Sequence, residues 1–308
     1  MRLSKAAADY VAHKQSMGMR FSTEARTLKS FCRAMGKTSL RQISPSRVHT
    51  YLAGTGPITT FWERKHSVLY GFYRYAIARG YVSASPLPRT IPKPLQTFVP
   101  YIYSHEELRR LLSAVVAYDN PRSSIDPNTF RLLLLLLYGA GLRISEALAL
   151  TVADVDLASA VLQIHETKFY KTRLVPIGTD LVRLLTPYVV RRQRNNAPPD
   201  SPFFVSRHGD PVTRRNAENA FCRLRVRANV MRQDRNPRHQ PRLHDLRATF
   251  AVHRLVTWYR SGGDLPQLST YLGHINIQGT QRYLTLIPEL LCEASDRFEH
   301  YAMGTPHE

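Results

Sequence analysis

The chain has 308 residues, 43% of them hydrophobic, and carries a formal net charge of +20 with a pI near 10.3. Such a length exceeds one ordinary domain, and the composition excludes a disordered chain, a collagen-like repeat and a disulfide-framework peptide. A charge this large points to a polyanionic partner, of which nucleic acid is the commonest. The excess is uneven: residues 1–104 hold 16 Lys and Arg against three Asp and Glu, or +13, leaving +7 for the longer remainder. Cys32, Cys222 and Cys292 are odd in number, far apart and without CxxC spacing, which fits a reducing cytoplasm and excludes a Cys-based zinc site. Cys32 and Cys222 lie in apolar-periodic stretches and are expected as small core residues. The N-terminal stretch lacks the apolar core of a signal peptide, and Leu132–Leu137 is too short to cross a bilayer, so a cytoplasmic protein without a membrane partner is expected.

Four helices are expected first. Leu3 to Gln15 carries apolar Leu3, Ala7, Tyr10 and Val11. A second starts near Ser22, repeats at Ala25, Leu28, Phe31, Cys32 and Met35, and stops at Gly36. Ser44-Pro45 reads as an N-cap and N1 proline opening a short helix with Val48, Tyr51 and Leu52. The fourth runs from about Thr60 to Arg79 with Arg64, Lys65, Arg74 and Arg79 at exposed positions, a basic face suited to the DNA backbone. Five prolines between Pro86 and Pro100 prevent helix, so residues 86–103 read as a linker between a helical domain (1–85) and a second domain (104–308).

The second domain reads as mixed. Ser104-His105-Glu106-Glu107 is a capping box opening a helix through Leu108, Leu111, Leu112 and Val115. A buried helix over Thr129–Tyr138 precedes Gly139-Ala140-Gly141 and a short helix, Ser145–Leu150. Val161–His165 and Arg173–Ile177 read as two strands, with Lys168 near their turn. Helices follow at about 179–193, 213–228, 244–257, 265–272, 276–284 and 287–302, with an Arg- and Pro-rich loop at Met231–Arg242. The fold class is therefore mainly α with a small β-sheet.

The candidate chemistry lies in Arg143, Lys168, His244, Arg247, His274 and Tyr283: two guanidiniums, an ammonium, two imidazoles and a phenol. Attack on a phosphodiester builds negative charge on the non-bridging oxygens, and preorganised cations stabilise it. Arginine fits because its planar fork grips two oxygens and stays charged. His244 and Arg247 sit three apart, on one helix face. A phenol ionises near pH 10, so it attacks at neutral pH only with neighbouring positive charge or a base. Each piece alone has a plainer reading: H-x-x-R as a local surface pair, Leu272-Gly273-His274 as a helix end, Tyr283 as core. Their ordered combination carries the argument.

Leu136–Leu148, which includes Tyr138-Gly139-Ala140-Gly141-Leu142-Arg143, resembles the first conserved box of phage integrases and Xer-type recombinases. His244-Asp245-Leu246-Arg247, continuing to Leu272-Gly273-His274 and, nine residues on, Tyr283, is similar to their second box. Thr167–Pro176 is similar to the β-hairpin that carries the family's lysine. The resemblance covers residues 105–300. For 1–85 it rests on four basic helices preceding a linker, like the family's SAM-like core-binding domain. It implies a tyrosine recombinase that needs no cofactor, metal or ATP. Tyr283 would form a 3′-phosphotyrosyl link while Arg143, Arg247 and His274 stabilise the phosphate oxygens. Lys168 would protonate the departing 5′-oxygen, and His244 would assist proton movement.

Glu146, three residues after Arg143, is either a carboxylate that orients it or a plain helix-surface pair. Lys171 rivals Lys168, and Lys171 and Arg173 are expected to touch DNA. Ala248 departs from the family, where many members carry a second histidine. The terminal helix, with Leu290, Leu291, Ala294 and Phe298 on one stripe, would dock on its own domain or on a neighbouring protomer. The implied partner is double-stranded DNA with an inverted-repeat core site, bound in the nucleoid by a homo-tetramer or by a hetero-tetramer with a related recombinase. A type IB topoisomerase and a catalytically silent DNA-binding protein of the same fold are the alternatives. A metal-dependent nuclease would need clustered carboxylates, and Glu146, Asp154 and Asp156 fit a turn into the first strand instead.

Overall fold

Helix α1 (Leu3–Ser16) buries Leu3, Ala6, Ala7 and Tyr10, the i, i+3, i+4, i+7 stripe of an amphipathic helix. In the computed structural model the described residues are 1–56, 58–92, 99–117, 123–165, 172–232, 239–260, 265–274 and 276–287. The chain divides into two compact units, Met1–Val99 and Pro100–Glu308.

In the first unit α2 (Ser22–Met35) buries Leu28, Phe31 and Met35. It stops where Gly36 turns to φ +70°, its N–H returning to the carbonyls of Cys32 and Arg33. Helix α3 (Pro45–Ala53) starts with its proline at N1, as expected. Ser44 takes the extended N-cap conformation, but its hydroxyl pairs with Ser46 Oγ at 3.0 Å and does not cap the helix. Helix α4 (Thr60–Ala78), capped by the Thr59 hydroxyl, packs against α1, α2 and α3 through Trp62, Leu69, Phe72, Tyr73 and Ala76. One core forms between the four helices.

Arg64, Arg74 and Arg79 are exposed, as expected. Lys65 is not: it is buried, and its ammonium donates to the carbonyls of Tyr51 (2.6 Å) and Leu52 (2.8 Å). Those carbonyls lie in the last turn of α3, where the helix supplies no N–H donors for them. One residue past Arg64 the helix has turned about 100°, enough to swing the side chain from solvent to the α3 seam. Burial lowers the Lys65 pKa. We expect Lys65→Met to destabilise this unit by about 2 kcal/mol, the usual worth of charged hydrogen bonds lost from a buried site, read as a lower urea midpoint. The slope of DNA affinity against salt should not change, because Lys65 is not a phosphate contact.

In the second unit α5 (His105–Val116) opens with the expected capping box. Ser104 Oγ accepts from Glu107 N–H (3.1 Å), and the Glu107 carboxylate accepts from Ser104 N–H (2.8 Å). Helix α6 (Pro127–Gly139) is capped by Asp126 and buries Leu132–Leu134, Leu136 and Leu137. It contacts α5, α7 (Ile144–Ala149), α8 (Thr179–Arg194) and α10 (Asp245–Arg260), so the segment leading to Arg143 is anchored on several sides. An antiparallel sheet has the order β1 (Val155–Asp156), β2 (Val161–Ile164), β3 (Arg173–Pro176), pairing Val161 with Pro176 and Ile164 with Arg173. Strand β1 was not anticipated; two residues leave no periodicity to read.

Helix α9 (Arg214–Arg227) and α11 (Leu265–Leu272) fall where expected. Cys32 packs at the edge of the first core, whereas Cys222 is exposed on α9, whose buried stripe is Ala217, Ala220, Phe221 and Leu224. The single helix expected over 276–284 is instead one turn, α12 (Gln278–Gln281), and a 3₁₀ turn at Leu284–Leu286. Its amides reach back three residues, Thr280 N–H to Ile277 and Tyr283 N–H to Thr280, a tighter winding than α-helix. The expected terminal helix, with Leu290, Leu291, Ala294 and Phe298, lies outside the described residues.

Candidate active site

The turn after α6 brings a backbone very close to α10. Gly141 has φ +59°, and a Cβ there would stand 2.4 Å from the ring of Phe250, so only glycine fits. Arg143 follows at the N-cap of α7. Its own N–H is accepted by Glu146 Oε2 (2.9 Å) and its guanidinium by Glu146 Oε1 (2.5 Å), leaving the side chain 34% exposed. This N-terminal box thus aims Arg143 out of a buried carboxylate.

Arg247 lies in the first turn of α10, almost wholly buried. It donates to the carbonyls of Gly141 and Leu272, both at 2.6 Å, and stands 3.7 Å from Glu146. These contacts tie α10 to the turn before Arg143 and to the end of α11. Burial, then the charge of Arg143, lowers its pKa to about 10, with Glu146 and Tyr283 opposing; it remains a cation at neutral pH. Arg173, at the start of β3, grips Glu146 with both terminal nitrogens (3.0 and 2.9 Å). Burial would raise the Glu146 pKa, but hydrogen bonds and charge from Arg173 and then Arg143 outweigh it and lower the value to about 2. Of the two readings of Glu146, the buried orienting carboxylate is the observed geometry.

His274 follows Gly273 (φ +66°), the left-handed residue that ends α11. Its Nδ1 is 2.6 Å from the Thr280 hydroxyl, and its ring packs against Gly279. Burial, followed by Arg247, Arg143, Arg282 and Arg173, lowers its pKa to about 4, so the imidazole is neutral at pH 7. A hydroxyl that donates to Nδ1 leaves the ring proton on Nε2, the form that can donate to an anion. Tyr283, 3% exposed, has its ring centroid 6.2 Å from that of His274, and the Arg282 guanidinium lies 5.6 Å from its centre. His244, before α10, is exposed; desolvation by the surrounding protein and the charge of Arg247 lower its pKa.

Arg143, His244, Arg247, His274 and Tyr283 are therefore brought together, through contact or mutual charge, although the sequence spreads them over more than a hundred residues. Lys168 and Lys171 lie outside the described residues. Arg173, expected to touch DNA, is turned inward onto Glu146 with its side chain 13% exposed. Its partner is 27 residues upstream, beyond any local pattern. Thr280 was missed too; its only trace in the sequence is its place between His274 and Tyr283. The other carboxylates are occupied elsewhere: Asp154 accepts from Thr151 and contacts His165 (2.7 Å), and Asp156 accepts from Ser159 N–H. Among the described residues no group of three His, Cys, Asp or Glu could hold a metal ion, and no helix is long and apolar enough to cross a membrane.

A mainly helical unit thus gathers three arginines around one buried carboxylate, with two imidazoles and a phenol beside Arg247, a set of groups suited to handling a phosphodiester. Residues 103–289 match the profile of the phage integrase family. A putative integrase/recombinase of Sinorhizobium fredii, y4rB, is 33% identical over 306 residues, covering 96% of both chains. A tyrosine recombinase XerC of Chlorobaculum parvum is 32% identical over 287 residues, covering 85% of this chain and 82% of its own. The solved integrase of the Tn1549 transposon, in complex with a circular intermediate DNA, superposes with a TM-score of 0.70 at 18% identity, covering 92% and 94% of the two chains. The chain belongs to the phage integrase family, the tyrosine recombinases, and its function is site-specific DNA recombination.

Proposed function

We propose that this chain cuts and rejoins DNA through a covalent intermediate on Tyr283, without metal or ATP. The observation that carries the reading is the convergence of Arg143, Glu146, His274 and Tyr283 about Arg247. The Tyr283 oxygen attacks the scissile phosphorus, a P–O bond to tyrosine forms and the bond to the 5′-oxygen breaks. Arg143, Arg247 and the Nε2–H of His274 hold the non-bridging oxygens. They are fixed before DNA arrives and so need little reorganisation as charge develops. Lys168 supplies the proton to the leaving 5′-oxygen, and His244 assists proton movement at the tyrosine. The phosphotyrosyl link conserves the bond energy, so the 5′-hydroxyl of a partner strand reverses the step. Two duplexes exchanging four strands require four such sites, hence a tetramer on DNA with inverted-repeat core sites. The exposed Arg64, Arg74 and Arg79 of the first unit suit the phosphate backbone.

The test is to trap protein–DNA adducts in cells with detergent and sequence the attached DNA. Tyrosine-dependent adducts at one or two short inverted-repeat sites are expected, formed equally well in extracts containing EDTA. Adducts scattered over the genome would instead indicate a topoisomerase, and loss in EDTA would refute the metal-free reaction.

A further inference from the structure

Arg173 was expected to contact DNA, yet both of its terminal nitrogens are used internally. They hold the two oxygens of Glu146 at 3.0 and 2.9 Å, while Glu146 in turn holds Arg143 and stands 3.7 Å from Arg247. The same guanidinium lies against the backbone of Gly273, where a Cβ would meet Arg173 Nη1 at 2.9 Å and Cδ at 3.0 Å. Its charge also acts on the neighbouring His274. Its Nε is buried and, among the described residues, has no hydrogen-bond partner. A side chain that leaves one donor unsatisfied while spending the other two groups on a single carboxylate is committed to that carboxylate.

We propose that Arg173 is a positioning residue of the reaction, acting through Glu146 on Arg143 and Arg247. The charge count gives it a reason. Three guanidiniums against one carboxylate leave a net +2 in the cluster. A phosphodiester brings one negative charge in the ground state and nearly two in a phosphorane-like transition state. With Arg173 the cluster matches the transition state; without it, a net +1 matches only the ground state. Binding that favours the transition state accelerates the step, whereas uniform binding does not. Removing Arg173 therefore slows cleavage more than it weakens DNA binding. A lysine cannot replace it, since one ammonium cannot hold both carboxylate oxygens in a fixed plane.

The inference rests on the phosphotyrosyl reading above, and the experiment separates the two. A nicked duplex bearing the sequence recovered by adduct trapping is the probe. Cleavage is measured in a single turnover at saturating DNA, beside Kd, its salt dependence and the fraction folded. Arg173→Gln is expected to slow cleavage about 10–100-fold per folded molecule, the usual range for a residue behind the reacting groups, with Kd within about threefold. Arg173→Lys should be nearly as slow. The double variant with Glu146→Gln should be no slower than the slower single variant. Multiplying effects, or a salt slope reduced by about 1, would make Arg173 a direct phosphate ligand and overturn the proposal. Unchanged cleavage per folded molecule would reduce it to a structural pair and overturn it equally. Should the wild type give no more adduct than Tyr283→Phe, the phosphotyrosyl reading fails by itself. Arg173 is then judged by thermal unfolding of the same three variants, where additive melting shifts reject the coupling and non-additive ones support it.

Discussion

Tyr283→Phe should remove covalent DNA capture almost entirely while leaving a folded protein that binds the same DNA. The ring of Tyr283 is 3% exposed and packs in a cluster with Phe250, Leu255, Leu268 and Leu272, contacts that phenylalanine keeps. Only the hydroxyl is lost, so the melting temperature should move little. Loss of a nucleophile costs about 10⁴-fold or more, since the remaining cations can bind a phosphate but have nothing to transfer it to. Binding should survive because its energy comes from many phosphate contacts distributed over the protein. Purified wild type and variant, incubated with a nicked site and resolved on a denaturing gel, settle the matter. Equal yields of adduct from the two would eliminate Tyr283 as the nucleophile.

The sequence made some parts of the molecule legible for a physical reason. Helix starts were readable where a side chain must satisfy backbone donors, as at Ser104 with Glu107, and less so at Ser44, whose hydroxyl found Ser46. Grouping Arg143, Arg247, His274 and Tyr283 was possible because the chemistry constrains residue type and chain order together. Direction was harder. Lys65 and Arg64 are neighbours on a helix that carries aromatic residues all round, and only the α3 carbonyls decide which of the two turns inward. Arg173 reads as a cation near a hairpin tip; nothing local shows that its counter-charge is Glu146. Residues 276–284 read as one helix from the sequence. Three-residue hydrogen bonding and the packing of His274 on Gly279 break it in two.

Glu146→Gln should be the most destabilising single change in the cation cluster, and the loss should be repaired by an added anion. The carboxylate is the only acidic group that the structure places against Arg143, Arg173 and Arg247 among the described residues, and it is itself 9% exposed. Its folded pKa of about 2 lies below the ordinary 4.5. A carboxylate with a depressed pKa stabilises the fold above its unfolded value and loses that contribution as pH falls through the folded one. The shift corresponds to about 3 kcal/mol at neutral pH. An amide keeps the shape but leaves buried guanidiniums without counter-charge, the costly way to break a buried pair. For a unit of this size the melting temperature should fall by roughly 6–12 °C at pH 7. The gap between wild type and variant should narrow as pH is lowered from 4.5 toward 2, where the wild-type carboxylate also loses its charge. Sulfate should raise the variant's melting temperature more than that of the wild type, because the uncompensated cluster offers an anion a net +3 in place of +2. Equal sulfate shifts in the two proteins, or a gap independent of pH, would mean that Glu146 is not the counter-charge that holds these arginines ready for a phosphate.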